Sequence, residues 1–259
     1  MSIQACADLV AKGDPDRFRA TMAAPVAARE VLFPIHAFTL EVARAPWITQ
    51  ETMIAEMRLQ WWRDVLGDIA AGKNPRAHEV AAPLAETLTP WAAETLDACV
   101  TARQWDIYRD PHPDGAGLTR YLHRSYALPM QVAARLLGAP ADATDALNRL
   151  GYAGALARYF LAIPALEDAG RVPLVDGRAE AIQGLASDAL ADVGASKPAL
   201  SHLPRPARAP LIDAAVHLPI LRQAQRNPRA VAEGRLGQGA LARSLRLALV
   251  SQAPSWMWI

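Results

Sequence analysis

The sequence has 259 residues, 52% of them hydrophobic, which is enough to bury a sizeable core. Its 27 basic and 26 acidic residues leave a net charge of +1, so no general attraction to nucleic acid is expected. No stretch approaches the roughly 18 apolar residues of a membrane span, and the N-terminus does not resemble a secretory signal. Cys6 and Cys99 form no CxxC motif, and we expect both to be buried or inert thiols in a reducing, cytoplasmic compartment.

The periodicity predicts an all-α chain, because Ala and Leu dominate and Pro and Gly separate the helical segments. We expect a single domain over 1–259, with the last ~8 residues as a possible tail. Asp14 or Asp16 in "DPDRF" caps an early helix. Segment 170–178 is predicted to be a loop with a short extended piece, the Pro-rich run 197–210 an irregular connection, and about two or three shorter helices follow. The main helices are predicted over 26–45, 49–72, 77–89, 91–109, 116–137, 142–168 and 179–194.

The helix that contains "QWWRDVLGD", residues 60–68, has a broad apolar arc. Its expected buried members are Ile54, Met57, Leu59, Trp61, Trp62, Val65, Leu66 and Ile69. Arg58 falls near the middle of this arc, and a guanidinium there requires a partner to offset its desolvation. We therefore predict that a carboxylate from another helix, Glu41 or Asp168, pairs with Arg58.

Asp64 and Asp68 share one helix face at i,i+4 spacing, as do the acids of some Mg²⁺ sites. The same spacing recurs at Asp188 and Asp192, so it carries little weight by itself. We predict that Asp64 and Asp68 are solubilising acids at the edge of the helix, with metal binding as the alternative.

Four segments in a fixed order carry a family resemblance: "DPDRFRATMAAPVAAREVLFPIHAF", "RLQWWRDVL", "YLHRSYALPMQVAARLLG" and "LGYAGALARYFLAIPALEDAGRVPL". This series resembles the squalene/phytoene synthase family of head-to-head prenyl transferases, over roughly residues 5 to 250. The resemblance implies the all-helical isoprenoid synthase fold, with a central cavity between antiparallel helices.

In active members of that family, two aspartate-rich motifs face each other across the cavity and hold Mg²⁺ on the diphosphates. The resemblance places the first motif in "AFTLEVARAPW", with its acids expected at Ala43, Arg44 and Trp47. None of these is a carboxylate, although Glu41 lies about half a turn earlier. Ala and Trp cannot ligate Mg²⁺, and Arg44 would repel it.

The second motif is expected in "FLAIPALED", where Pro164 stands at the first acid position and Asp168 at the second. We therefore predict that the metal-chelating pairs are lost and that the protein needs no cofactor; Mg²⁺ belongs only to an enzymatic alternative. Arg44 and Arg158 could still contact a diphosphate directly, or they could pair with acids such as Glu41 and Asp168.

The degraded motifs resemble a non-catalytic branch of the family, the phytoene-synthase-like assembly factors of respiratory complex I. That similarity implies a partner among complex I subunits or assembly intermediates, and a cytoplasmic or matrix-side location at the inner membrane. One alternative is an active Mg²⁺-dependent prenyl transferase with displaced ligands, and another is a prenyl-lipid-binding module. The candidate cavity residues are Glu41, Arg44, Arg58, Trp61, Trp62, Arg158 and Asp168; the displaced metal ligands are Glu41, Asp64, Asp68 and Asp168.

The C-terminal run "LARSLRLALVSQAPSWMWI" combines an amphipathic basic helix with a Trp-rich end. Arg243 and Arg246 with Trp256 and Trp258 are suited to a bilayer interface or to a groove on a partner protein. In the alternative, the two tryptophans fold back onto the domain.

Overall fold

The computed structural model of the protein describes residues 3–252, and every regular element in that range is a helix. The expected all-α class is therefore confirmed. The α-helices are α1 (Ile3–Gly13), α2 (Pro15–Ala23), α3 (Val26–Arg44), α4 (Thr52–Ala70), α5 (Ala81–Thr87), α6 (Pro90–Ala102), α7 (Gln104–Tyr108), α8 (Gly115–Leu122), α9 (Leu128–Leu136), α10 (Thr144–Asp168), α11 (Ala179–Ser201), α12 (Leu211–Arg226), α13 (Arg229–Ala232) and α14 (Ala240–Gln252). Short 3₁₀ turns lie at Ala45–Trp47, Ala141–Ala143 and Pro206–Arg208, and a π-helical turn, His123–Ala127, joins α8 to α9.

Local sequence signals set several helix ends. The Asp14 side chain accepts a hydrogen bond from the backbone N–H of Arg17 at 3.1 Å, so Asp14 rather than Asp16 caps α2. Gly138, in "GAP", adopts a φ of +96° just after α9, a conformation that glycine takes without strain. These turns separate helices that then pack on one another.

Some predicted segments differ from the structure: the helix predicted over 77–89 begins only at Ala81, the helix predicted over 91–109 is divided into α6 and α7, and a π-helical turn interrupts the helix predicted over 116–137. Helix α11 continues to Ser201, through part of the Pro-rich run that was expected to be irregular, and Pro198 lies inside its last turns. The helix persists there because Leu200 is fully buried, so packing of the final turn offsets the hydrogen bond that proline removes. Residues 170–178 form a loop, but the expected extended piece is not among them.

Helix α10 lies at the centre of the domain and packs closely against α12 and the π-helical turn. A Cβ at Gly151 would lie 2.6 Å from the Cβ of Ala127, and one at Gly154 would lie 2.7 Å from the Cβ of Ala214. Such approaches exclude a larger side chain. The two glycines therefore allow the neighbouring backbones to close on α10.

Helix α4 buries a narrower stripe than the sequence predicts. Ala55, Leu59, Trp62 and Leu66 follow one another at i,i+3 and i,i+4 spacing and are buried, together with Val65 and Ile69. Ile54 and Met57 were expected on this face, but they are 45% and 66% exposed. The buried side is thus rotated away from the predicted arc.

Both cysteines are buried, as predicted. Burial raises the pKa of Cys6 and of Cys99 to about 11, so each thiol stays protonated at neutral pH.

Candidate functional site

A cavity of ≈ 660 Å³ lies between the start of α2, helix α3, the π-helical turn, α10 and α14. Its presence agrees with the expected central cavity. The lining residues are Gly13, Asp14, Pro15, Asp16, Arg17, Arg19, Thr39, Leu40, Ala43, Arg103, Tyr121, Leu122, Ser125, Tyr126, Ala155, Arg158, Tyr159, Ala162 and Arg243.

The cavity lining carries a small surplus of positive charge. It contains five arginines and two aspartates, and Asp213 and Asp106, which pair with Arg17, Arg158 and Arg103 from behind the wall, bring the formal surplus to one positive charge. A partly enclosed wall with one prevailing charge concentrates oppositely charged solutes. The cavity is therefore suited to an anion.

Two guanidinium groups and two carboxylates form a buried network beside the cavity. Arg158 on α10 donates to the Asp14 carboxylate and contacts Asp213 on α12 at 3.3 Å. The Arg17 Nε lies 3.5 Å from Asp14 and 3.6 Å from Asp213. The four charges balance within the cluster, which ties α2 to α10 and α12.

The network stabilises the protonation states of Asp213, Arg158 and Tyr126. Burial alone would raise the pKa of Asp213, but Arg158 and Arg17, together with the hydrogen bond from Tyr126, outweigh it and hold that pKa below its usual range. Burial opposes the charge of Arg158 as well, yet Asp213 and Asp14 raise its pKa. Tyr126 donates its hydroxyl proton to Asp213, and burial, reinforced by that carboxylate, raises its pKa far above 10. Asp213 is therefore an anion and Tyr126 a neutral hydroxyl at neutral pH.

Two histidines at the network are uncharged at neutral pH. Burial and the nearby charge of Arg17 lower the pKa of His36 to about 3. Burial also lowers the pKa of His217, whose Nδ1 lies 2.7 Å from the backbone oxygen of Asp213. Neither residue adds positive charge to the cluster.

A second polar cluster contributes two lining residues, Arg103 and Tyr121, to the cavity. The Arg103 Nη1 donates to the Tyr121 hydroxyl at 2.7 Å and to the buried carboxylate of Asp106 at 3.2 Å. Arg171 donates to the backbone oxygen of Asp106, and its guanidinium lies 4.9 Å from the ring centroid of Trp47. Trp47, at an expected acid position, thus covers an arginine by a cation–π contact.

The first expected motif presents no carboxylate to the cavity. Its lining residues are Thr39, Leu40 and Ala43 on α3, and the Thr39 hydroxyl accepts a hydrogen bond from Arg17 at 3.2 Å. Arg44 is exposed and lies 3.8 Å from Glu41, as the pairing alternative predicts for this arginine. Among the described residues, the cavity lining does not include Glu41.

Within the second expected motif, Ala162 lines the cavity, and Ala155, Arg158 and Tyr159, which precede the motif on α10, line it as well. Asp168 is exposed at the last residue of α10, and Arg158 pairs with Asp14 and Asp213 instead. The suggested pairing of Arg158 with Asp168 is therefore wrong, because Asp168 lies ten residues, about 15 Å, further along the helix and outside the cavity lining.

The other predicted site residues lie on α4, outside the cavity lining. Arg58 is exposed, so the prediction that Glu41 or Asp168 pairs with it is wrong; the rotated stripe of α4 leaves this guanidinium in solvent. Trp61 is half-buried and Trp62 is buried, with their ring centroids 4.8 Å apart. Trp62 meets Phe38 edge-on at 5.3 Å, so the pair packs α4 against α3.

Asp64 and Asp68 also lie outside the cavity lining. Asp64 is exposed and accepts a hydrogen bond from Gln60 at 2.8 Å, while Asp68 is partly buried. Within residues 3–252, no three or more His, Cys, Asp or Glu side chains are arranged to hold a metal ion.

Sequence reasoning missed most of the charged network. Asp14 was considered only as a helix cap, although "DPDR" places both charge signs at one helix start. Asp213 gave a weaker signal, a single acid in the apolar run "LIDAAVHL". Neither pattern identifies Arg158 as the partner, because that contact joins residues far apart in the chain.

The C-terminal helix α14 differs from the predicted basic amphipathic helix. Arg243 points inward and pairs with Asp16 at 2.9 Å, and Arg246 donates to the backbone oxygen of Ala215 at 3.1 Å. Trp256 and Trp258 lie outside the described residues. No helix within residues 3–252 combines the length and apolar character needed to cross a bilayer.

Comparison with known proteins places these features in a family context. The family model of squalene/phytoene synthase matches residues 10–175. No curated protein matches the chain significantly.

Two solved structures are similar to the chain over most of its length. A dehydrosqualene synthase in complex with ligand has a TM-score of 0.76 at 14% identity, covering 96% of this chain and 94% of that one. The squalene synthase HpnC from Alicyclobacillus acidocaldarius has a TM-score of 0.70 at 15% identity, covering 88% of this chain and 94% of that one. At such identities the likeness concerns the fold, and it confirms the expected isoprenoid synthase-like architecture.

Proposed function

The chain belongs to the squalene/phytoene synthase family, whose members are head-to-head prenyltransferases, and we propose that it is a non-catalytic member of that family. The observation that carries this proposal is the identity of the cavity wall. Helix α3 contributes Thr39, Leu40 and Ala43, and α10 contributes Ala155, Arg158, Tyr159 and Ala162. None of these side chains is a carboxylate, the side-chain ligand that Mg²⁺ prefers, and the Thr39 hydroxyl already accepts a hydrogen bond from Arg17.

The reaction of this family needs strong charge stabilisation. Ionising an allylic diphosphate develops about two negative charges on the leaving group, which bound metal ions stabilise. The two aspartates of this cavity are already paired with arginines. Asp16 lies 2.9 Å from both Arg19 and Arg243, and Asp14 contacts Arg17 and Arg158. A metal ion would have to displace these arginines, which argues against turnover.

The test is incubation of the purified protein with farnesyl or geranylgeranyl diphosphate and Mg²⁺, followed by measurement of released diphosphate. We expect no release above the rate of a control without protein. Enzyme-dependent release would overturn the proposal and would favour the alternative of an active transferase. Glu41, Asp64, Asp68 and Asp168, considered above as displaced ligands, would then be mutated singly to amides.

The proposed cellular role is assembly of a respiratory NADH dehydrogenase, complex I, at the surface of the inner membrane. This role rests on the resemblance of the degraded motifs to the non-catalytic branch of the family. It implies a complex I subunit or assembly intermediate as partner, a cytoplasmic-side location and no cofactor. Deletion of the gene should lower NADH:quinone oxidoreductase activity and spare succinate oxidation. Normal NADH oxidation in the deletion strain would contradict the role.

A second candidate function, binding of a prenyl lipid without turnover, is favoured by the charge of the cavity. Arg19 and Arg243, which share the single carboxylate of Asp16, lie beside apolar lining from Leu40, Leu122 and Ala162, a combination that fits a phosphorylated amphiphile. Native mass spectrometry after gentle purification tests this function. A bound prenyl phosphate would support it, and a ligand-free mass in every preparation would contradict it.

A further inference from the structure

The C-terminal helix α14 presents an uncharged leucine face to solvent. Leu241, Leu245 and Leu249 follow at i,i+4 spacing and are 76%, 59% and 52% exposed. A surface helix ordinarily turns its charged residues outward and its large apolar residues inward. Helix α14 turns both of its arginines and two apolar residues, Leu247 and Val250, inward and leaves these three leucines in solvent.

The two charged residues of α14 are engaged with the domain. Arg243 pairs with Asp16 on α2, and Arg246 contacts the backbone of α12 at Ala215. Leu247 and Val250 pack on the core from the same side. The outward leucine face is therefore held in place by inward contacts that do not involve it.

We propose that this leucine face, formed by Leu241, Leu245 and Leu249, docks the protein on the surface of a lipid bilayer. The leucines would enter the boundary between head groups and acyl chains, with α14 parallel to the membrane plane. The inference deepens the proposed membrane-surface function by naming the surface that meets the bilayer, and it rests on that function for its cellular meaning.

Two features favour a bilayer over a second copy of the chain. Three leucine side chains expose far less area than the ~800 Å² that each partner buries in a stable protein interface. The sequence after α14 continues with "APSWMWI", and its tryptophans belong to the residue type enriched at membrane–water boundaries. A bilayer can bury a small apolar face without a matching pocket or a minimum interface area, because its apolar interior is continuous.

The inward arginines determine what kind of bilayer binding results. With Arg243 and Arg246 used inside the domain, docking depends on burial of apolar surface rather than on attraction to anionic lipid. Binding should therefore be similar on neutral and anionic vesicles and nearly independent of salt. A basic amphipathic helix with outward arginines would behave in the opposite way.

Vesicle co-sedimentation of the purified full-length protein tests the proposal. The probes are phosphatidylcholine vesicles, alone or with added phosphatidylglycerol, at low salt and at about 0.5 M NaCl. The test variant is Leu241→Ser, Leu245→Ser, Leu249→Ser. The matched control is Met53→Ser, Ile54→Ser, Met57→Ser, which removes three comparably exposed apolar side chains from α4. Circular dichroism establishes that both variants remain folded.

We expect the leucine variant to partition at least about tenfold more weakly than the wild type on both vesicles, and the α4 control to stay within about twofold. Unchanged binding of the leucine variant, loss of binding in the α4 control, or binding that needs phosphatidylglycerol and low salt would overturn the proposal. A wild-type dimer that the leucine substitutions convert to a monomer would assign the face to self-association instead. Since only protein and lipid are present, failure here is distinct from failure of the assembly role, which the deletion strain reports.

Discussion

The guanidinium of Arg158 on α10 lies 3.3 Å from the carboxylate of Asp213 on α12, in a position where both groups are largely shielded from water. The same arginine also contacts Asp14 at the start of α2. One side chain therefore joins three helices at the edge of the cavity. The stability of the cavity wall depends on these pairs remaining complete, since an unpaired buried charge is costly.

Replacing Asp213 should destabilise the protein strongly. Asp213→Asn removes the negative charge that faces Arg158 and Arg17 and should lower the free energy of unfolding by about 3 kcal/mol. Urea denaturation followed by circular dichroism measures the change. Asp145→Asn is the control, because Asp145 forms an exposed pair with Arg149, and its effect should stay within about 0.5 kcal/mol. Equal stability of the two variants would contradict a structural role for the network.

The free energy of unfolding should fall as the pH drops below 6.5. Folding lowers the pKa of His36 from 6.5 to about 3, so between these values the unfolded chain binds a proton that the folded protein does not. Above about pH 6.5 the titration of His36 does not reduce the free energy of unfolding. By pH 5 it should reduce that free energy by about 1–2 kcal/mol. His36→Gln should flatten this part of the stability profile.

The control for this titration is His202→Gln, which removes an exposed imidazole. Urea denaturation at several pH values between 5 and 8 should give parallel profiles for that variant and the wild type. An equally steep decline in His36→Gln would show that another group, such as His112 or His217, produces the pH dependence; burial lowers the pKa of both.

A methyl group at Gly154 should disturb the central packing. Its Cβ would lie 2.7 Å from the Cβ and 2.9 Å from the Cα of Ala214, so α10 and α12 would have to separate. We expect Gly154→Ala to cost about 1–3 kcal/mol in thermal or urea unfolding. Gly184→Ala is the matched control inside α11, where no atom lies within 4 Å of the added Cβ. That variant should be neutral or stabilising by up to about 1 kcal/mol, because alanine favours a helix.

The cavity should bind inorganic diphosphate without a metal ion. Isothermal titration calorimetry should detect binding in EDTA, with an affinity no weaker than in buffer that contains Mg²⁺, because arginines rather than bridging metals would contact the anion. Arg19→Gln removes one positive charge of the lining and should weaken binding about three- to fivefold. Arg205→Gln, an exposed arginine outside the lining, is the control. Binding that appears only with Mg²⁺ would favour the enzymatic alternative.

Helix periodicity and capping predicted much of the fold. The cap at Asp14, the long helix ending near Arg44 and the stop at Gly138 are local features, and each depends on residues within a few positions. The orientation of α4 was harder to predict. A helical wheel gives the apolar arc, but only the neighbours of the helix decide which part of that arc is buried. Arg58 was therefore assigned to the wrong side.

The candidate site, like the fold, was predictable from the sequence only in part. By itself, the sequence determined which chemistry the expected motif positions can support: Ala43 and Pro164 have no oxygen ligands in their side chains, whatever their surroundings. Only the tertiary structure decided which charges meet beside the cavity, since Asp14, Arg158 and Asp213 come from three helices that are distant in the chain. The tertiary structure also turned Arg243 inward and left Leu245 in solvent. Composition fixes the charges that are available, but long-range packing determines which of them meet.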